Sequence, residues 1–411
     1  MIGFSCYVLA DSYFISIAKG ADGLTALNLV MPLYSIIFSI GEMIGVGSAI
    51  RYAISKIKKD ADADDYFWNA LIWCIMSSMI FVFAGIFFSA DIMRVLGADE
   101  HIVAVGNNYT KIFMCFAPMF MCNYVTNAFV RNDGAPGIAM SATLFSSLFN
   151  IVFDYILMFP MNLGMEGAAL ATALSPIIGM GICSIHFFSK KSSVRLVVCK
   201  PSVRKLVAGS QLGVSAFVGE MSSAVITLAF NFVILKLAGN VGVAAYGVVA
   251  NIAIVTTAVF NGVAQGSQPL ISSCFGRGDR DGCTQLKRMG YITAFVLAAV
   301  MYSILFIFAG QFVAVFNSEG SEMLRLYATE GVKLYFIGIF FAGINIVGGG
   351  AFSATEDAFK AAVVSVARGF VLILGAVFVM SALFGMTGVW LAYAVAEGIT
   401  TFIMLVMVLR V

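Results

Sequence analysis

Charge is scarce in this chain. Only 11% of its 411 residues are Asp, Glu, Lys or Arg, against roughly 25% in an ordinary water-soluble chain. Most side chains therefore do not face water. Histidine is almost missing: the two copies, His101 and His186, lie in a polar loop and near a helix end, and no Cys/His cluster surrounds either. That excludes an imidazole-based metal centre. The eight Cys form no C-x-x-C pair and lie mostly within apolar stretches, as small buried hydrophobes do. No G-x-x-x-x-G-K-[ST] run occurs, so direct ATP use has no support, and neither H-E-x-x-H nor G-x-S-x-G is present to suggest an intramembrane enzyme. A net charge of +2 removes any bulk electrostatic case for nucleic acid. No cofactor and no nucleic-acid partner is expected.

Apolar length is plentiful. The chain is 61% hydrophobic with a mean hydropathy of +0.97, and apolar windows of about 20 residues recur between short polar loops, the pattern of membrane-crossing helices. Twelve segments can be marked: about 1–18, 24–50, 67–89, 102–128, 138–160, 166–188, 206–236, 242–275, 289–310, 323–352, 360–382 and 387–409. Forty Gly suit close helix packing in lipid. Pro32, Pro118, Pro176 and Pro269 fall inside segments and are expected to kink them. No basic region or cleavage pattern follows Met1, so no cleavable signal is expected. Asp11 stands only ten residues in, about 15 Å of helix, so the first span is expected to be clipped at its start.

Lys and Arg are unevenly shared between the loops. "RYAISKIKK" (51–59), "KKSSVRLVVCKPSVRK" (190–205) and "GRGDRDGCTQLKR" (276–288) hold 14 basic residues, and with Arg131, Lys360, Arg368 and Arg410 they put 18 on one side against 6 on the other. The positive-inside rule then places both termini in the cytoplasm of a multi-pass plasma (inner) membrane protein. The basic segment 190–205 divides the chain into 1–189, carrying spans 1–6, and 206–411, carrying spans 7–12.

A shift of 219 residues superposes the halves. "ISIAKGADGLTALNLV" (15–30) lies over "ILKLAGNVGVAAYGVV" (234–249), bringing Gly20, Gly23 and Ala26 onto Gly239, Gly242 and Ala245. Each half has an even number of spans, so the repeats are parallel. The expected fold is all-α: twelve transmembrane helices in two pseudo-symmetric six-helix bundles, an arrangement of secondary transporters.

Five carboxylates fall inside spans: Asp11, Glu42, Asp154, Glu220 and Glu397. An ionisable residue at that depth costs roughly 2.5–3.5 kcal/mol on insertion scales and marks function by default. Asn150 and Asp154, in "NIVFD", stand one helical turn apart on one face. Span 5 ends near Pro160, six residues past Asp154, and Thr172 lies six residues into span 6. The two therefore share a depth on antiparallel neighbours, and Asp11 lies at a similar level. An amide carbonyl, a hydroxyl and two carboxylates suit a small hard cation or a shared proton.

These features resemble the MATE (multidrug and toxic compound extrusion) family. The resemblance spans essentially the whole chain and rests on "ADSYFIS", "FVRNDGAP", "NIVFDYILMFP", "GAALATALSP", "VAAYGVVANIAIVTTAVFNGVAQGSQPLIS" and "TGVWLAYAVAEGIT". It implies an alternating-access antiporter, monomeric in the bilayer, that expels small organic compounds, often cationic or amphipathic, against H+ or Na+. It also implies a cation site at Asp11, Asn150, Asp154 and Thr172, with Glu220 as a possible second substrate or cation residue in the C-lobe. Glu42 has no family role, and Glu397 is expected to serve structure or a lobe contact. The rival within the superfamily, a flippase for lipid-linked saccharides, would need basic residues in its cavity. Only Lys111 and Arg368 are candidates, both expected near span ends.

Overall fold

The computed structural model describes residues 2–195, 197–316 and 321–409. Among the described residues the regular structure is entirely helical. In hydrocarbon a backbone has no water to bond to, and a helix satisfies every N–H and C=O within one segment. The helices are α1 (Ile2–Lys58), α2 (Asp65–Val95), α3 (Glu100–Cys115), α4 (Ala117–Asn132), α5 (Pro136–Met158), α6 (Gly164–Phe187) and α7 (Val203–Gly276). They continue with α8 (Arg280–Ile307), α9 (Ala309–Phe316), α10 (Glu322–Tyr335), α11 (Ile339–Ala354), α12 (Ala358–Val366) and α13 (Leu372–Leu409).

Three of these runs are double. α1 turns at Gly20, α7 at Gly239 and α13 at Gly385. Among the described residues eight helical runs are long and apolar enough to cross a membrane, nine with the α3–α4 pair; dividing α7 at Gly239 and the 358–408 run at Gly385, and adding residues 2–19 before Gly20, matches the twelve expected segments. The fourth is bent by 45° between α3 and α4, where Pro118 opens α4. Pro32, Pro176 and Pro269 stay inside continuous helices.

The duplication is visible in the backbone. Gly20 has φ 60° and ψ −145°, and Gly239, 219 residues later, has φ 61° and ψ −158°. Side chains other than hydrogen are essentially barred from that region, so glycine is required at both breaks. The packing repeats as well. A Cβ on Gly23 would meet Lys19 Cβ at 2.6 Å and Ile15 Cγ2 at 3.0 Å; one on Gly242 would meet Ala238 Cβ at 2.6 Å and Ile234 Cγ2 at 2.8 Å. Ala26 and Ala245 are both fully buried.

By contacts the chain groups into Met1–Glu220 and Met221–Val411. In the first unit, α1 crosses the start of α7 at touching distance. A Cβ on Gly47 would lie 2.1 Å from the Gly209 carbonyl oxygen, and one on Gly213 would lie 2.0 Å from that of Met43. Small residues here let two backbones meet where lipid offers no hydrophobic drive. The segment 190–205 docks on the same unit. Asp133, at the end of α4, accepts from His186 Nε2 (2.8 Å), the Ser193 amide (2.9 Å), Tyr52 Oη and Ser192 Oγ (3.2 Å each), and the Ser193 hydroxyl. The Asp133–His186 pair is buried, 2% and 3% exposed. Ser202 N donates to Asn69 Oδ1 at 2.7 Å, and Lys205 pairs with Asp65. Replacing Asp133 with Ala strands all these donors. It will lower stability by about 3–5 kcal/mol, the cost of breaking a buried charged pair, read as an earlier thermal transition in detergent.

In the second unit, the core runs from Phe230 and Tyr246 through Tyr335, Phe336 and Ile339 to Trp390 and Tyr393. Phe230 stacks on Tyr246 with centroids 4.9 Å apart, and Tyr335 on Tyr393 at 4.4 Å.

Candidate cation site and family

The α5–α6 hairpin sets the site. Gly167 brings the helices together: a Cβ there would be 2.8 Å from the Leu157 carbonyl carbon. Thr172, five residues on, thereby reaches the level of Asn150 and Asp154. Asn150, Asp154 and Thr172 are all buried. With its amide turned to satisfy both ends, Asn150 donates to Asp154 Oδ2 at 3.2 Å and accepts from Thr172 Oγ1 and N at 3.2 Å each. The first arm of α1 brings Asp11, only 5% exposed, close enough for its charge to act on Asp154.

Two tyrosines complete the group, and the sequence reading had not named them. Tyr109, on α3, donates its hydroxyl to Asp11 Oδ2 at 3.5 Å, and it bonds in turn to the Tyr34 hydroxyl from the second arm of α1. Tyr109 also feels the charge of Asp154. Tyr34 is held flat against Phe113, centroids 3.7 Å apart. A tyrosine where phenylalanine would pack as well was the available signal, since a buried phenol needs a partner.

Oδ1 of Asp11 and Oδ1 of Asp154 are both buried without a hydrogen-bond partner among the described residues. Buried polar atoms are rarely left so. Two such carboxylate oxygens in one pocket, among an amide and hydroxyls, form an oxygen-only donor set that fits H+ or a small hard cation such as Na+. Among the described residues no group of three or more His, Cys, Asp or Glu could hold a metal ion, so the set is not a transition-metal cage.

The structure thus brings Asp11, Asn150, Asp154 and Thr172 together. Glu220 keeps different company: it is half-buried on α7, and its charge acts on Glu42, which Arg131 also attracts. Arg368, expected near a span end, lies well inside the helical run Ala358–Leu409 and is paired with Glu397.

A polytopic helical protein, built twice over and holding two bent helices and an acidic pocket inside one bundle, belongs to the class of membrane transporters rather than enzymes. A model of the MatE family matches residues 1–156 and 216–379. The chain belongs to the MatE family and is a MATE family transporter. It is 27% identical over 405 residues to the multidrug export protein MepA of Staphylococcus aureus (strain MRSA252), covering 96% of this chain and 87% of that protein. It is 26% identical over 396 residues to MepA of Staphylococcus saprophyticus, with the same coverage. Among solved structures, the outward-facing conformation of a multidrug resistance MATE family transporter of the MOP superfamily superposes with a TM-score of 0.92. That match covers 100% of this chain and 92% of the other at 20% identity. A MOP superfamily transporter from Pyrococcus furiosus Vc1, whose reverse-polarity binding pocket suggests a different function, superposes at 0.90, with 99% and 91% coverage and 20% identity. These structural likenesses show the fold.

Removing only the phenol oxygen of Tyr109 tests its part in the site. Tyr109→Phe will leave the thermal transition within a few degrees, because the ring still packs. At a cation site here it is expected to weaken binding by roughly threefold to tenfold, the effect of one ordinary hydrogen bond.

Proposed function

We propose that this protein is a cation-coupled secondary antiporter that exports organic compounds, cationic or amphipathic, across the plasma membrane by alternating access, with H+ or Na+ as the driving ion. The observation that carries this reading is the pair of unpartnered carboxylate oxygens on Asp11 and Asp154, gathered with Asn150, Thr172 and Tyr109 from four helices. A pocket of two acids without a basic partner is costly when empty and cheap when a cation neutralises it. A cation arriving from outside and a cationic compound arriving from inside then compete. If the driving ion weakens cargo binding by some factor, cargo weakens ion binding by the same factor. The relatives' name, multidrug export protein, agrees with organic cargo.

The basic-loop asymmetry supports cytoplasmic termini, and the two six-span halves, 1–189 and 206–411 about the segment 190–205, are the moving lobes in this reading. We take the monomer as the working unit. Glu220, with Glu42 beside it, remains the second position at which a cation or cargo charge could be met. The fold alone does not choose the cargo. The rival, a saccharide-lipid flippase, would need several free basic groups for a pyrophosphate. Arg368 offers a single guanidinium, not several, whether or not Glu397 holds it.

An ion-gradient swap tests the proposal. Purified protein in liposomes, given a fluorescent organic cation, should move it under an imposed Na+ or H+ gradient and stop when that gradient is collapsed. Transport indifferent to both gradients would refute coupling.

A further inference from the structure

The second unit places two full charges deep among apolar helices, and cation coupling at Asp11 and Asp154 leaves them unused. Arg368 Nη2 donates to Glu397 Oε1 at 2.7 Å, and Nε donates to Oε1 at 3.0 Å and Oε2 at 3.3 Å. Asn345 Nδ2, from α11, donates to Glu397 Oε2 at 2.7 Å, and Thr401 Oγ1 donates to Asn345 Oδ1 at 3.0 Å. Tyr393 shares a side-chain hydrogen bond with Arg368. Arg368 itself sits on a single π-helical turn, Ala367–Val371, inserted between α12 and α13. Such turns re-aim a side chain at some cost in helix regularity and recur at functional sites.

Stability does not account for this pair. Each charge is costly to place in hydrocarbon, and well-packed apolar residues commonly replace a buried ion pair without loss. A charged pair can do what an apolar pair cannot, which is to exchange partners. The two ends differ in reach: the Glu397 side chain is 3% exposed and that of Arg368 is 19% exposed. The Arg368 side chain is thus the more exposed of the two partners. A guanidinium fork recognises a planar carboxylate through two parallel hydrogen bonds. Were another carboxylate to take the fork, Glu397 would keep its bond from Asn345.

We propose that Arg368 is the recognition site for a carboxylate carried by a transported compound, with Glu397 occupying it until that carboxylate replaces it. The proposal rests on the export reading and extends its cargo to zwitterions, which pair a cationic centre with an acid.

Two dyes of nearly one shape separate the outcomes. Rhodamine B carries a free carboxylate, and its ethyl ester does not. Binding of each to purified protein is read by fluorescence anisotropy, beside thermal unfolding of every variant. Arg368→Met should weaken rhodamine B binding by about tenfold or more, the scale of a lost charge-assisted pair, and leave the ester unchanged. Glu397→Gln should tighten rhodamine B, because the competing carboxylate is gone. The apolar double variant Arg368→Met/Glu397→Leu should fold and bind only the ester well. A merely structural clamp would instead move both single variants in the same direction for both dyes. That result, or a wild type that does not bind rhodamine B, would overturn the proposal. Efflux of the ester from liposomes tests the export reading separately.

Discussion

Vesicles carrying Asp154→Asn will bind a cationic dye but expel it far more slowly in response to an ion gradient. The amide is nearly isosteric and keeps the hairpin with α6, so folding should survive. What disappears is the second negative charge in the pocket, and with it the reason for a cation to enter. Typical coupling free energies correspond to factors of roughly 5–150, and gradient-dependent efflux should fall by about that range while dye binding changes little. Asp11→Asn should behave alike, because its own Oδ1 is also unpartnered. Efflux at the wild-type rate from either variant, at equal reconstitution, would remove these residues from the coupling site.

The largest structural effect is expected at the crossing of α1 and α7. In Gly213→Leu a side chain must occupy space where even a Cβ lies 2.0 Å from the Met43 carbonyl oxygen. Backbone atoms cannot swing aside as a side-chain tip can, so the helices must part. Overpacking costs about 1–3 kcal/mol, occasionally more, and here it falls on the contact that seats residues 203–220 against the first unit. Expression and thermal stability should drop sharply, whereas Gly219→Leu, where nothing lies within 4 Å of an added Cβ, should be mild. Equal tolerance at both positions would mean that the crossing is not tightly packed.

The sequence was most informative wherever depth decides the outcome. Asp154 and Thr172 each stand six residues from the hairpin, so their level followed from counting, and the structure joins them through Asn150. The repeat was equally legible, because a glycine forced into a left-handed backbone must recur wherever that bend recurs; Gly20 and Gly239 do so. Azimuth was not legible. Counting along a helix does not say which neighbour a side chain faces. Nothing in the spacing sets Tyr109 and Tyr34 apart, although Tyr109 bonds to Asp11 and Tyr34 to Tyr109. Glu397 and Arg368 were noticed separately, 29 positions apart, and only the packing of α12, α13 and the π turn shows them as a pair. Glu220 acts on Glu42 as a like charge across 178 positions of sequence. Loop docking was hidden too: Asp133 gathers donors from α1, α6 and the segment after it.

The most direct measurement is cation release from purified protein on addition of an organic cation. In weakly buffered detergent solution, a pH indicator and a Na+ probe report which ion leaves as the dye binds. Wild type should release H+ or Na+ in proportion to bound dye, and Asp11→Asn and Asp154→Asn should bind dye with little or no release. Dye binding without release in the wild type, or undiminished release from both variants, would contradict a shared cation pocket at Asp11 and Asp154.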